Sequence, residues 1–150
     1  MADNVAKYRQ LVQLARDVLT LARNTLLVNL RFLDLALGQF QYRDYPSTFS
    51  TDGNTIFFDP YYILSAYKVD KEQSVRDYLH IVLHCVFRHL FGADQMDHRC
   101  WDLACDIAVE HAINELELNC VRSRRQERQT ELLTELEQAV HPLTAEKLYR

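Results

Sequence analysis

The stretch DYLHIVLHCVFRHLFG, residues 77–92, decides how this chain is read. It sets His80 and His84 four residues apart in an otherwise apolar run. An α-helix turns ~100° per residue, so the two imidazoles project from one face within ~40° of each other. Asp77 and Arg88 extend that stripe, and Tyr78, Leu79, Ile81, Val82, Leu83, Cys85, Val86 and Phe87 fill the other sides. A helix apolar nearly all round belongs in a core, so both imidazoles are drawn away from water and need partners. Two readings stand side by side. The histidines are core residues bonded to carbonyls or carboxylates, or they are two ligands of one metal ion, which this spacing suits. His89 lies ~180° from His80 on a regular helix and is expected to cap the helix end or pack elsewhere.

A zinc site needs at least three protein ligands. The segment CWDLACDIAVEHAIN, residues 100–114, repeats polar groups every four residues at Asp102, Asp106, Glu110 and Asn114. Such a stripe is ordinarily a solvated helix face, yet Leu103 and Ile107 share its side. Packed against the histidine helix, Asp106 would supply the third ligand. Glu110 or Asp102 would then orient a histidine from behind. Zinc hydrolases with this histidine spacing carry a glutamate directly after the first histidine, and here that position is Ile81.

Outward from these helices the chain reads as helix-rich α+β. N-terminal helices are expected over residues 4–38: one from an Asn4 cap through Val5, Tyr8, Val12, Ala15, Leu19 and Ala22, one through Leu26, Leu30, Leu33 and Leu37 to Gly38. A small sheet is expected over 46–60, where Thr51-Asp52-Gly53-Asn54 is turn chemistry and Thr55–Phe58 a short β run closed by Asp59-Pro60. Asp70 with Gln73 has the form of a capping box opening a core helix over 70–91 that stops at Gly92. After a polar loop from Ala93 to Arg99, a second core helix is expected over 100–116. A C-terminal helix is expected over 129–140, ended by Pro142. There is no internal repeat and no low-complexity segment, and 150 residues suit one domain with a sizeable core.

Composition narrows the function classes. A hydrophobic share of 48% with 25% charge is globular, and a net charge of −4 offers no general attraction to nucleic acid or anionic membrane. The basic cluster Arg122, Arg124, Arg125 and Arg128 is interrupted by Glu127, as on a solvated linker or helix face. No segment is apolar for long enough to span a bilayer, and the first residues lack the pattern of a secretory signal. A cytoplasmic setting with reduced thiols is the expectation. Cys85, Cys100, Cys105 and Cys120 form no Cys-x-x-Cys pair, so they are expected to be mostly small buried hydrophobes.

In order and spacing, "TDGNTIFFDP", the His-x-x-x-His helix with His89 following, "WDLACDIAVE" and the terminal "LTAEKLY" resemble one family. It is the bacterial "putative metallopeptidase" domain usually found N-terminal to a von Willebrand factor A-like domain, a zincin-like family. The resemblance implies a zincin architecture, with an edge strand near Ile56 to Phe58 above the metal-binding helix, and carries the ligand role onto His80 and His84. It matches Asp106 to the family's Trp-x-x-Ala-x-Asp segment. It also implies association with a von Willebrand-type protein and a partner ATPase. Two residues depart from the pattern: Ile81 replaces the glutamate of His-Glu-x-x-His, and Glu110 stands where the family commonly has asparagine.

The departure at Ile81 bears on chemistry. In zinc peptidases that glutamate takes a proton from the attacking water and returns it to the leaving amine, and isoleucine can do neither. The leading expectation is therefore a zinc-binding, zincin-like pseudoenzyme that holds a protein or peptide partner by strand addition. An active metallopeptidase using Glu110 or Asp77 as the base is the second reading. A metal-free structural domain with ordinary core histidines is the third.

Overall fold

Asp59 and Asp70 each end one segment and cap the next, and they mark out the middle of the fold. The computed structural model describes residues 2–91 and 96–150. It opens with α1 (Ala2–Asn29), a single long helix whose buried stripe is Ala15, Val18, Leu19, Ala22 and Leu26. The helix therefore starts before Asn4, which lies in its first turn and not at its cap, and it takes in Leu26. The expected second helix is broken at Leu30, where φ is −127°. A 3-10 turn (Arg31–Leu33) and the short α2 (Asp34–Gly38) follow.

The sheet is the expected hairpin with one neighbouring strand, but it begins earlier, at Gln41 and not at 46. Strands β1 (Gln41–Asp44), β2 (Phe49–Thr51) and β3 (Thr55–Phe58) lie in the order β1-β3-β2. β1 pairs parallel with β3, with Tyr42 opposite Ile56, and β2 pairs antiparallel, with Ser50 opposite Phe57. Only Thr55–Phe58 advertises itself in the sequence, because Ile56 and Phe58 alternate inward and are fully buried. This also corrects the expected edge. Ile56 to Phe58 is the central strand, and the edge strands are β1 and β2. The β2–β3 turn is tied by Asp52 Oδ1, which accepts from the amides of Asn54 at 2.9 Å and Thr55 at 2.7 Å. Gly53 sits there at φ +93°, a backbone region that glycine alone enters freely.

Asp59 accepts from the Tyr61 amide at 2.8 Å and Pro60 occupies the first turn, so α3 (Pro60–Val69) starts where the strand stops. This helix was not expected. Asp70 then caps α4 (Lys71–Val86) through the Gln73 amide at 3.3 Å. The reciprocal half of a capping box is absent, because the Gln73 side chain turns forward to Asp77. The helix ends at Val86, not at Phe91; a 3-10 turn (His89–Phe91) comes next, and Gly92 and residues 93–95 of the expected loop lie outside the described residues.

Asp97 caps α5 (His98–Glu115). Then α6 (Arg124–Ala139) starts five residues before the expected 129, so Arg124, Arg125 and Arg128 of the arginine cluster lie on a helix and Arg122 precedes it. A final turn, α7 (Ala145–Leu148), covers Trp101, Cys105 and Ala108 of α5. The core is formed where α1, the sheet, α3, α4 and α5 meet, around Leu19, Leu26, Phe58, Tyr78, Leu79, Val82, Val109 and Ile113. All four cysteines are free thiols, but only Cys105 is fully buried, and Cys100 is exposed. Among the described residues no helix is long and apolar enough to cross a membrane.

Candidate metal centre

Helices α4 and α5 pack so that their four-residue stripes interlock in opposite directions. His84 faces Asp106, His80 faces both Asp106 and Glu110, and Arg76 faces Glu110 and Asn114. Three donor atoms converge at one point: His80 Nε2 and His84 Nε2 are 2.9 Å apart, and Asp106 Oδ1 lies 3.3 and 3.2 Å from them. The three sequence-derived ligand candidates are thus brought together as a group that can hold a metal ion.

The residues present fit such an ion. Ligands at the ~2.0–2.1 Å of zinc–nitrogen and zinc–oxygen bonds in a tetrahedral array lie about 3.3–3.4 Å apart. The observed spacings, 2.9 to 3.3 Å, are close to that. A circle through the three atoms has a radius of about 1.8 Å, shorter than a bond to zinc, so one ion can touch all three. The two facing nitrogens also cannot both carry protons. Either one donates to the other, or both turn their lone pairs to a shared cation.

Both histidines are held from behind. His80 Nδ1 meets Glu110 Oε1 at 2.8 Å, which fixes Nδ1–H as the donor and leaves Nε2 free to ligate. Of the two orienting carboxylates considered, Glu110 takes this role, and Asp102 stays exposed at the rim. His84 Nδ1 meets His89 Nδ1 at 3.3 Å. His89 therefore joins the cluster, against the expectation from a regular helix. Arg88 adopts φ +61°, the chain reverses, and the His89 ring returns beneath His84, with Trp101 Nε1 donating to the His89 carbonyl at 3.3 Å.

The carboxylates favour positive charge at the centre of the cluster. Burial opposes a proton on His80, but hydrogen bonds to Asp106 and Glu110 outweigh it and raise the pKa to about 9. Burial pushes Glu110 up, but His80 and Arg76 hold it down at about 2. Asp106 is likewise drawn well below the ordinary carboxylate range, against its own burial, by the two histidines. Burial and the neighbouring His84 lower His89, which favours its neutral ring.

A cleft of about 490 Å³ opens over the cluster and is bordered by Phe49, Thr51, Ile81, Trp101, Asp102 and the histidines. Strand β2 forms its rim, and Ile81, 6% exposed, forms part of its wall. Neither carboxylate considered as a substitute base faces it freely. Glu110 is 4% exposed and spends one oxygen on His80 and the other on Arg76. Asp77 is buried one turn away, where it accepts from Tyr62 Oη at 3.2 Å and from Gln73. Arg76 was missed in the sequence. The signal was present, since Arg76, His80 and His84 form a single four-residue series.

Residues 15–150 match the model of a family described as "Putative metallopeptidase domain", and the chain belongs to that family. Comparison with curated proteins and with solved structures returns no match.

Proposed function

Proceeding from that membership, we propose that this is a zincin-like domain that binds one zinc ion through His80, His84 and Asp106 and holds peptides without cutting them efficiently. The observation that carries this reading is Ile81 in the cleft wall, where a peptidase needs a carboxylate. When bound there, zinc would supply a Lewis-acidic centre for a carbonyl or carboxylate oxygen. The protein's own groups then determine the fate of that chain. Glu110 and His89 fix the ring nitrogens, Ile81 offers no site for a proton, and Glu110, tied to Arg76 and His80, is not free to move one.

The zincin-like reading is supported by an edge strand, β2, lining the same cleft as the histidine helix. Strand order leaves the outer edge of β2 unpaired within the sheet. An extended peptide can add there by backbone hydrogen bonds, with apolar side chains against Phe49, Ile81 and Trp101. The partner we propose is thus a protein or peptide segment. A von Willebrand factor A-type protein and an ATPase are the partners the family resemblance suggests. A reducing, cytoplasmic setting belongs to the same proposal.

The test is a fluorescent random-peptide pool incubated with zinc-loaded protein. Retention of peptide that disappears with His84→Ala or with chelator, and no new peptide ends, is the expected result. Cleavage that His84→Ala abolishes would establish an active peptidase instead.

A further inference from the structure

We propose that Arg76 is a positioning residue of the metal centre, acting on His80 through Glu110. This rests on the zinc-binding reading of the cluster. Arg76 has no exposed surface. Its Nε and Nη2 donate to Glu110 Oε2 at 2.9 and 2.7 Å, and Nη2 also donates to Asn114 Oδ1 at 2.8 Å. Nη1 reaches the Val121 carbonyl at 3.2 Å and Gln126 Oε1 at 3.5 Å. The guanidinium is therefore fixed to α5, to the turn before α6 and to α6 itself.

A buried charge is costly unless fully paired, and an apolar residue would fill this space at less risk. What the guanidinium adds is control of Glu110. That carboxylate divides its oxygens, Oε2 to Arg76 and Oε1 to His80 Nδ1 at 2.8 Å. With Oε2 clamped by two converging N–H groups, the carboxylate cannot rotate, and Oε1 points at the imidazole. The chain Arg76–Glu110–His80 thus sets the ring's tautomer and angle, so that Nε2 faces Asp106 and His84. Without the clamp, Glu110 Oε2 keeps only the Gln129 amide at 3.0 Å, with Arg125 3.9 Å from Oε1, and His80 is held less firmly by the acceptor that keeps its lone pair on the metal side.

The test is a double-mutant cycle read by zinc affinity in competition with a chelator. Arg76→Lys keeps the charge but not the fork, and should weaken zinc binding ~10–100-fold. In a Glu110→Gln background the same change should add almost nothing, because its route to His80 is already cut. A merely structural arginine would give losses that multiply in full, and that result overturns the proposal, as does Arg76→Lys protein binding zinc like the parent. Zinc titration of the unmodified protein by NMR does not depend on any variant folding. The Arg76 Nε–H signal should move on binding, and a signal that stays still also overturns it. Unmodified protein that takes up no zinc would instead remove the reading beneath it.

Discussion

Replacing Asp106 with asparagine keeps the shape of the side chain and removes its charge. The carboxylate lies 3.3 Å from His80 Nε2 and 3.2 Å from His84 Nε2, and its side chain is 56% exposed, so little packing is at stake. Structural zinc held by four protein ligands with ~10–16 kcal/mol corresponds to roughly 2.5–4 kcal/mol for each. An amide oxygen keeps part of that, so a loss of about 2–3 kcal/mol, or roughly 30–150-fold in affinity, is expected for Asp106→Asn. Competition with a chelator of known zinc affinity measures it, and circular dichroism checks that the helices are retained. Zinc binding by Asp106→Asn that equals the parent's would refute the assignment of this oxygen as a ligand.

Restoring a carboxylate by Ile81→Glu should raise peptide hydrolysis by the zinc-loaded protein, since general acid–base help is typically ~10²–10⁴-fold; an unchanged background rate would show that more than the base is missing. Leu79, with no exposed surface, should cost ~2–5 kcal/mol when cut to alanine, and an unshifted urea midpoint would contradict its place in the core. As far as His80 and Glu110 govern it, the metal-free protein should be most stable between about pH 4.5 and 6.5. His80, raised from 6.5 to about 9 in the folded state, contributes stability that is complete below 6.5 and lost as pH rises through 9. Glu110, lowered from 4.5 to about 2, contributes stability present above 4.5 and lost as pH falls through 2. Urea titrations across pH test both limbs, and zinc should abolish the alkaline one, because it takes the place of the proton on His80.

Much of the site was legible because it is written twice in one period. Arg76, His80 and His84 on α4 and Asp106, Glu110 and Asn114 on α5 each recur every four residues, and antiparallel packing turns the two series into facing pairs. Helical spacing alone indicated two histidines and a carboxylate, but not how the helices pack, which assigned Glu110 and set Asp102 aside. His89 was misplaced because its position depends on a reversal at Arg88, a non-glycine residue at positive φ, which periodicity does not reveal. Strands β1 and β2 were obscure for a related reason: their residues are half-buried or exposed, with none of the inward alternation of Ile56 and Phe58. The helix from Pro60 carried a cap and a leading proline, yet the same two residues also read as a turn that closes a strand.

The central claim is that His80, His84 and Asp106 share one metal ion. Elemental analysis of protein purified without chelator and dialysed against zinc tests it most directly. The account predicts about one zinc per chain, falling to near zero in His80→Ala/His84→Ala protein that keeps its helical spectrum. Unmodified, folded protein that retains no zinc, or a double variant that retains as much as the parent, would contradict it.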